Sequence, residues 1–253
     1  GHRVPHRGRH PRDAFRRGRR LAPLTGGSLN REILSGHPAE AAKALLGGVL
    51  VVPGDGLWAR ITEVEAYGGP PDSPWPDPGA HSWPGVTPRN RVMFGPAGHL
   101  YVYRSYGIHF CANVTAGPDG VGGGVLLRGA EILEGEDVAR RRRSAGRGNP
   151  ARKNPVPRDL ARGPGNLAQA FGVDLGDYGL DLFDPSSRVQ LSSGEEAPVA
   201  DAELRDAEMR VVELRSGPRV GLRAASQRPW RFWLPGEPGV SAYRRHAKAD
   251  GLA

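Results

Sequence analysis

The stretch "HLYVYRSYGIHFCANVT", residues 99–115, constrains the fold more than any other part of the chain. Before the Ser105-Tyr106-Gly107 triplet the side chains alternate, Leu100 and Val102 on one face and Tyr101 and Tyr103 on the other. Period-two alternation is the signature of a β-strand, so residues 99–115 are expected to form two strands meeting near Tyr106. "VLVVPGDGLWARITEVEAY" adds two strands joined by a Gly/Asp/Pro turn, and "GGVLLRGAEIL" adds another. "RVVEL", "RVGL" and "RFWL" read as three short strands in the last third. The helices are brief. "HPAEAAKALLGG" starts at Pro38 and stops at Gly47, "EGEDVARRRR" has its acids first and its arginines last, and "GPGNLAQAFG" is the third. Strands without regular β-α alternation argue for an α+β fold rather than a parallel sheet. Residues 68–90, rich in Pro and Gly, read as loop.

Charge divides the chain unevenly. Residues 1–20 hold eight Arg and one Asp, and residues 140–162 hold eight Arg, one Lys and one Asp, in a protein whose net charge is only +8. The remainder is therefore net acidic. Two basic segments on an acidic body suit a polyanionic partner, most plausibly nucleic acid, although a basic tail plus a solvated loop would show the same counts. Residues 1–28 lack apolar periodicity and read as a flexible basic arm, with residues 29–253 as one domain. The arm's arginines also fit an organellar transit peptide weakly, but serine is scarce. No apolar run approaches the ~18 residues that a membrane span needs, and no secretory pattern opens the sequence. A protein without membrane contact is expected, cytoplasmic and nucleoid-associated in a bacterium or nuclear in a eukaryote. Cys111 is the single cysteine, which excludes an internal disulfide framework and a Cys-rich zinc cluster.

Within "ITEVEAYGGP", Glu63, Glu65 and Tyr67 share one strand face and Thr62, Val64 and Ala66 the other. Such a face is either a solvated edge or the floor of a site that uses a carboxylate as base. Tyr106 beside Gly107 would stand exposed at a hairpin tip, either folding back on a loop or acting as a wedge that enters a duplex. His81 lies in loop, where a lone histidine is commonly a surface residue. Arg128 closes the apolar run "GGVLLR" and needs a partner, for which Glu65 is available.

These residues also carry a family resemblance. "EVEAY", "AHS", "TPRNRVMFGPAGHLYVYRSYGIHFCANV" and "GVLLRGAEILEG", with "GPGNLAQAFG" and "PRVGL" behind them, run in order over about residues 29–245 and resemble the alkyladenine (3-methyladenine) DNA glycosylases. The resemblance implies a single domain with a curved, mainly antiparallel sheet, short helices and a protruding hairpin. It implies that Glu65 activates the attacking water and Arg128 helps hold it. Tyr67, His81 and Tyr103 would wall an extruded base, Leu222 would line the same site, and Tyr106 would fill the gap left in the duplex. Asn113 would exclude the 2-amino group of guanine. Glu63 would not be the base, and is expected to be supporting or exposed. The substrate would be double-stranded DNA containing damaged purines, handled by a monomer without cofactor or metal. The loop between Tyr67 and His81 is longer than in the animal members and contains Trp75, so it should alter one wall of the pocket or the groove beside it.

Only Lys43, Lys153 and Lys248 are lysines, and none lies in the motif set, so a Schiff-base lyase is not expected and the enzyme would leave an abasic site. Two other readings compete. One is a metal-dependent nuclease using Glu63, Glu65, Asp72 and His81, and the other is a non-catalytic nucleic-acid binding module on the same fold.

Overall fold

The computed structural model describes residues 29–145, 155–193 and 214–249. The expected 1–28 arm, most of the 140–162 basic loop beyond Ala145 and most of "RVVEL" lie outside them. Among the described residues eight antiparallel strands form one sheet, with order β3-β4-β5-β2-β1-β6, β8 also pairing with β2 and β7 with β8. The strands are β1 (Val49–Val52), β2 (Leu57–Tyr67), β3 (Leu100–Ser105), β4 (His109–Thr115), β5 (Gly124–Glu134), β6 (Gln190–Ser192), β7 (Arg215–Gly217) and β8 (Arg231–Trp233). The expected α+β architecture is present.

Strand β2 is the spine. One edge pairs with β5 along its length, while the other is shared, β1 taking Leu57–Arg60 and β8 taking Glu63–Glu65. The β2–β5 ladder slips twice around Glu63. Pairing passes from Ile61↔Ala130 to Glu63↔Gly129 to Val64↔Leu127, which leaves Thr62 and then Arg128 opposite nothing. Bulges of this kind bend a sheet and re-aim side chains, and both fall beside the carboxylates.

Alternation gives the sheet two different faces. Val64, Ala66, Leu100, Val102, Ala112, Val114, Val125 and Leu127 join the apolar core. Over them lie α2 (Pro38–Leu45), through Ala41, Ala42 and Leu45, and α4 (Pro164–Phe171), through Leu167, Ala168 and Phe171. Each large aliphatic side chain so buried contributes about 1.5–3 kcal/mol. The helix signals act as read. Pro38 opens α2 with the His37 Nδ1 accepting from the Ala39 amide, and Gly172 ends α4 in the left-handed region. Helix α3 (Glu136–Ser144) packs on α4, and a single turn, α1 (Arg31–Leu34), precedes α2. Neither α1 nor β6 is legible in the sequence.

"RVGL" is not a strand. It turns at Val220–Gly221, with Gly221 at φ +70°, and its polar groups bond to β2 and to the 68–80 loop rather than to a ladder. Among the described residues no helix is long and apolar enough to cross a membrane.

Candidate active site

The second face of the sheet carries the polar set. Antiparallel register lines up Tyr101 on β3, Asn113 on β4, Leu126 on β5, Glu65 on β2 and Arg231 on β8 as one row across five strands. Tyr103 and Cys111 pair one step nearer the hairpin tip. Residues that are far apart in sequence thus meet because each sits at an odd or even step of its own strand.

Glu65 has no exposed surface and every oxygen is engaged. Its Oε1 accepts from the Val220 amide at 2.6 Å, and its Oε2 accepts from the Tyr67 hydroxyl at 2.8 Å and from Arg128 Nη1 at 3.4 Å. Burial and the neighbouring carboxylate push the Tyr67 phenol well above its usual range, so it acts as a donor. Arg128 continues to Glu63 through Nε at 3.0 Å and to the Ser241 hydroxyl through Nη2 at 3.1 Å. Burial works against charge on Arg128, but Glu65 and Glu63 outweigh it and its pKa is raised.

Glu63 is buried and supporting, not exposed. Besides Arg128 it accepts from Arg231 Nε at 2.6 Å, from the Ser241 amide at 2.6 Å and from the Ser241 hydroxyl at 2.9 Å. Its partners hold it as an anchor.

The aromatic wall adjoins this centre. His81 Nδ1 bonds the Tyr101 hydroxyl at 2.9 Å, and its ring stands edge-on to Tyr103 with centroids 4.5 Å apart. Burial against these rings, and then Arg89, lowers the His81 pKa and favours the neutral imidazole. Tyr101 and Tyr103 stack at 5.7 Å. Burial first, then Cys111, raises the Tyr103 phenol pKa. Asn113 is buried, its Nδ2 donating to the Tyr101 carbonyl at 3.1 Å. Leu222 is half-buried and packs against Gly79 of the loop that leads to His81.

Tyr106 stands at the tip of the β3–β4 hairpin, 89% exposed, with Ile108 beside it at 69%. Tyr106 and Gly107 both take positive φ, +48° and +69°, and the Ile108 amide closes the turn on the Ser105 carbonyl at 2.9 Å. A non-glycine residue in that region is strained by about 1–2 kcal/mol, and the exposed ring returns no packing. The turn leaves the ring in solvent. Along the outer edge of β3 lies an open groove of about 580 Å³, lined by Arg89, Arg91, Arg104, Tyr103, Leu175 and Tyr178.

The 68–80 loop is anchored by two of its side chains. Its Trp75 packs edge-on to His37 at 5.1 Å, and Asp77 reaches Arg219. The four residues of the metal reading are not gathered. Glu63 and Glu65 face arginines, Asp72 is exposed in the loop and His81 bonds a tyrosine, and among the described residues no group of three or more His, Cys, Asp or Glu could hold a metal ion. A cation approaching the two carboxylates would meet Arg128 already there.

Sequence reasoning misses Val220, Arg219, Arg231, Ser241 and Tyr101. Tyr101 has a signal in its alternation with Leu100 and Val102, and Arg219 and Val220 lie within the quoted "PRVGL", but nothing local marks Arg231 or Ser241 as site residues.

The chain with this buried carboxylate–arginine centre beside an aromatic cluster, on an antiparallel sheet with an exposed tyrosine at a hairpin tip, is similar in sequence to known proteins. The family model described as methylpurine-DNA glycosylase matches residues 32–238, and the chain belongs to this family of DNA repair glycosylases. A protein of Rhodococcus jostii is 52% identical over 213 residues, 84% of each chain. One of Nocardia farcinica is 49% identical over 216 residues, 85% of this chain and 92% of its own. One of Mycobacterium tuberculosis is 50% identical over 221 residues, 87% and 97% of the two chains. All three are provisionally named 3-methyladenine DNA glycosylases.

Proposed function

We propose that the protein is a monofunctional glycosylase that extrudes an alkylated or deaminated purine from duplex DNA and hydrolyses its N-glycosidic bond, leaving an abasic site. One observation carries this reading: Glu65, held by Arg128, Tyr67 and the Val220 amide, shares a sheet face with Tyr101, Tyr103 and Asn113.

Extruding a base costs a few kcal/mol, least for a damaged pair. Tyr106 fills the vacated space, and the arginine groove beside β3 offers the strand's phosphates charge along the approach to the tip. Tyr67, Tyr103 and His81 receive the base. Stacking on an aromatic ring is worth roughly 1–3 kcal/mol, and a cationic alkylated purine adds a cation–π contribution. Leu222 closes the pocket from the C-terminal segment, and Asn113 opposes a guanine 2-amino group.

Because Glu65 is fully covered, an entering nucleotide parts the Tyr67 hydroxyl from Oε2 and frees that oxygen. The electron pair of the N-glycosidic bond leaves with the base, water adds to the sugar C1′, and Glu65 takes the water proton. Arg128, already bonded to Oε2, stays beside Glu65 and orients the water. A base that is already cationic departs neutral without a protein acid.

Release of free bases from alkylated and deaminated duplexes in EDTA, measured by mass spectrometry, tests the assignment. The wild type should release base, and Glu65→Gln should lower the rate by at least ~10²-fold while lesion binding persists. Strand cleavage abolished by EDTA, or binding with no base released, would replace this reading with a nuclease or a binding module. Equal loss in Glu63→Gln with Glu65→Gln still active would reverse the two carboxylates.

A further inference from the structure

Against Tyr67, Asp77 and Arg219 form an ion pair with no exposed surface. Arg219 Nη1 donates to Asp77 Oδ2 at 2.5 Å and to the Ala66 carbonyl at 3.0 Å, and Nη2 donates to Asp77 Oδ1 at 2.8 Å and to the Ala225 carbonyl at 3.4 Å. Asp77 also accepts from the amides of Gly68 at 3.0 Å and Gly79 at 3.1 Å. The guanidinium lies 4.7 Å from the centroid of the Tyr67 ring and covers one of its faces. The next residue, Val220, gives its amide to Glu65 Oε1 at 2.6 Å.

Burying two charges costs several kcal/mol per ion, and an apolar pair of similar size commonly serves a core as well. The geometry here serves a different end. The planar fork is locked by Asp77 and by Ala66, the residue between Glu65 and Tyr67. From that lock one branch, the stack, sets the plane of Tyr67, and the other, the Val220 amide, sets the rotation of the Glu65 carboxylate. We propose that Asp77–Arg219 is the positioning pair of the site, which ties the 68–80 loop to the orientation of Glu65 and Tyr67. This rests on the assignment of Glu65 as the base. Arg219 touches no reacting atom in this scheme. It acts through Val220 and Tyr67, and its charge acts on the carboxylate beyond them.

Single-turnover release of 7-methylguanine from duplex DNA across pH isolates the effect, because a cationic base needs no protonation before it leaves. Arg219→Gln should lower the plateau rate by at least ~10-fold, the scale of a misplaced catalytic group, with lesion affinity within about threefold of wild type. Its acid limb should move toward neutral pH, because a cation removed from beside a carboxylate favours the protonated form. Asp77→Asn leaves the guanidinium charge unpaired, so its plateau should also fall while the acid limb moves the opposite way. Arg219→Lys keeps charge without the fork, and should lose rate with the limb in place. A purely structural pair would not separate the variants in this manner. Wild-type rates in Arg219→Gln, or losses that track the melting temperature with every acid limb unmoved, would overturn the proposal. If Arg219→Gln does not fold, Asp77→Asn and Arg219→Lys carry the same contrast. Glu65→Gln measured alongside separates the two levels, since full activity there would remove the assignment of the base itself.

Discussion

Glu63 and Glu65 are two residues apart on one strand, and their surroundings give them different tasks. Glu63 is held by two arginines and both polar groups of Ser241, so it serves as a fixed counter-charge. Glu65 has one oxygen pinned by an amide and the other shared by a phenol and the edge of a guanidinium, and on the proposed reading an incoming nucleotide displaces the phenol alone. Asn113 is similarly set by its neighbours, its amide fixed on the Tyr101 carbonyl one strand away. Shortening it to Ser keeps a polar group but opens the space a guanine 2-amino group needs. Asn113→Ser should raise release of guanine-derived bases by roughly tenfold or more, in line with the ~1–3 kcal/mol of an unpaired buried polar group, and leave hypoxanthine release little changed. A parallel fall for both bases, with a lower melting temperature, would make Asn113 structural. That Glu65 and Tyr67 share a face is legible from period two alone. Which of the two glutamates Ser241 holds is not.

Among the elements, the β3–β4 hairpin carries a residue that costs it stability. Tyr106 holds a left-handed backbone conformation while its ring is almost fully in solvent. Glycine adopts that conformation without strain, so Tyr106→Gly should stabilise the fold by about 1 kcal/mol, within the 1–2 kcal/mol range for a left-handed residue. The same variant should discriminate lesion from normal duplex less well, because nothing fills the gap in the stack. Chemical denaturation and lesion-binding titration read the two effects, and a loss of stability together with unchanged discrimination would deny the hairpin its wedge role. The hairpin is legible because alternation and Gly107 mark it locally. "RVGL" misleads for the same reason, since Val and Leu around an arginine look like a strand until the tertiary fold claims the arginine for Asp77 and the Val220 amide for Glu65.

Over the molecule as a whole, charge is the property that reaches furthest. The 1–20 segment carries eight arginines and one aspartate without a motif, so it should add affinity for DNA without specificity. Removing residues 1–20 should flatten the dependence of log affinity on log salt by up to roughly 0.9 for each phosphate that the segment neutralises. Affinity titrations at several salt concentrations give the slope, and an unchanged slope would mean that the segment does not touch DNA. Lesion discrimination should not move.

Short-range pattern encodes one part of this protein unaided. Period-two alternation sorts each strand into a core face and a site face, Pro38 and Gly172 set helix ends, and Gly107 marks the hairpin tip. Which faces meet is settled only when the chain closes. Glu63 finds Arg231 168 residues away, Glu65 finds the Val220 amide 155 residues away, and Asp77 finds Arg219 across 142. No local periodicity marks such pairs, because their geometry depends on how β2 shares one edge between β1 and β8 and on the two bulges that turn Thr62 and Arg128 out of register. A residue's own strand fixes the direction of its side chain, whereas the partner it meets depends on the closure of the whole chain.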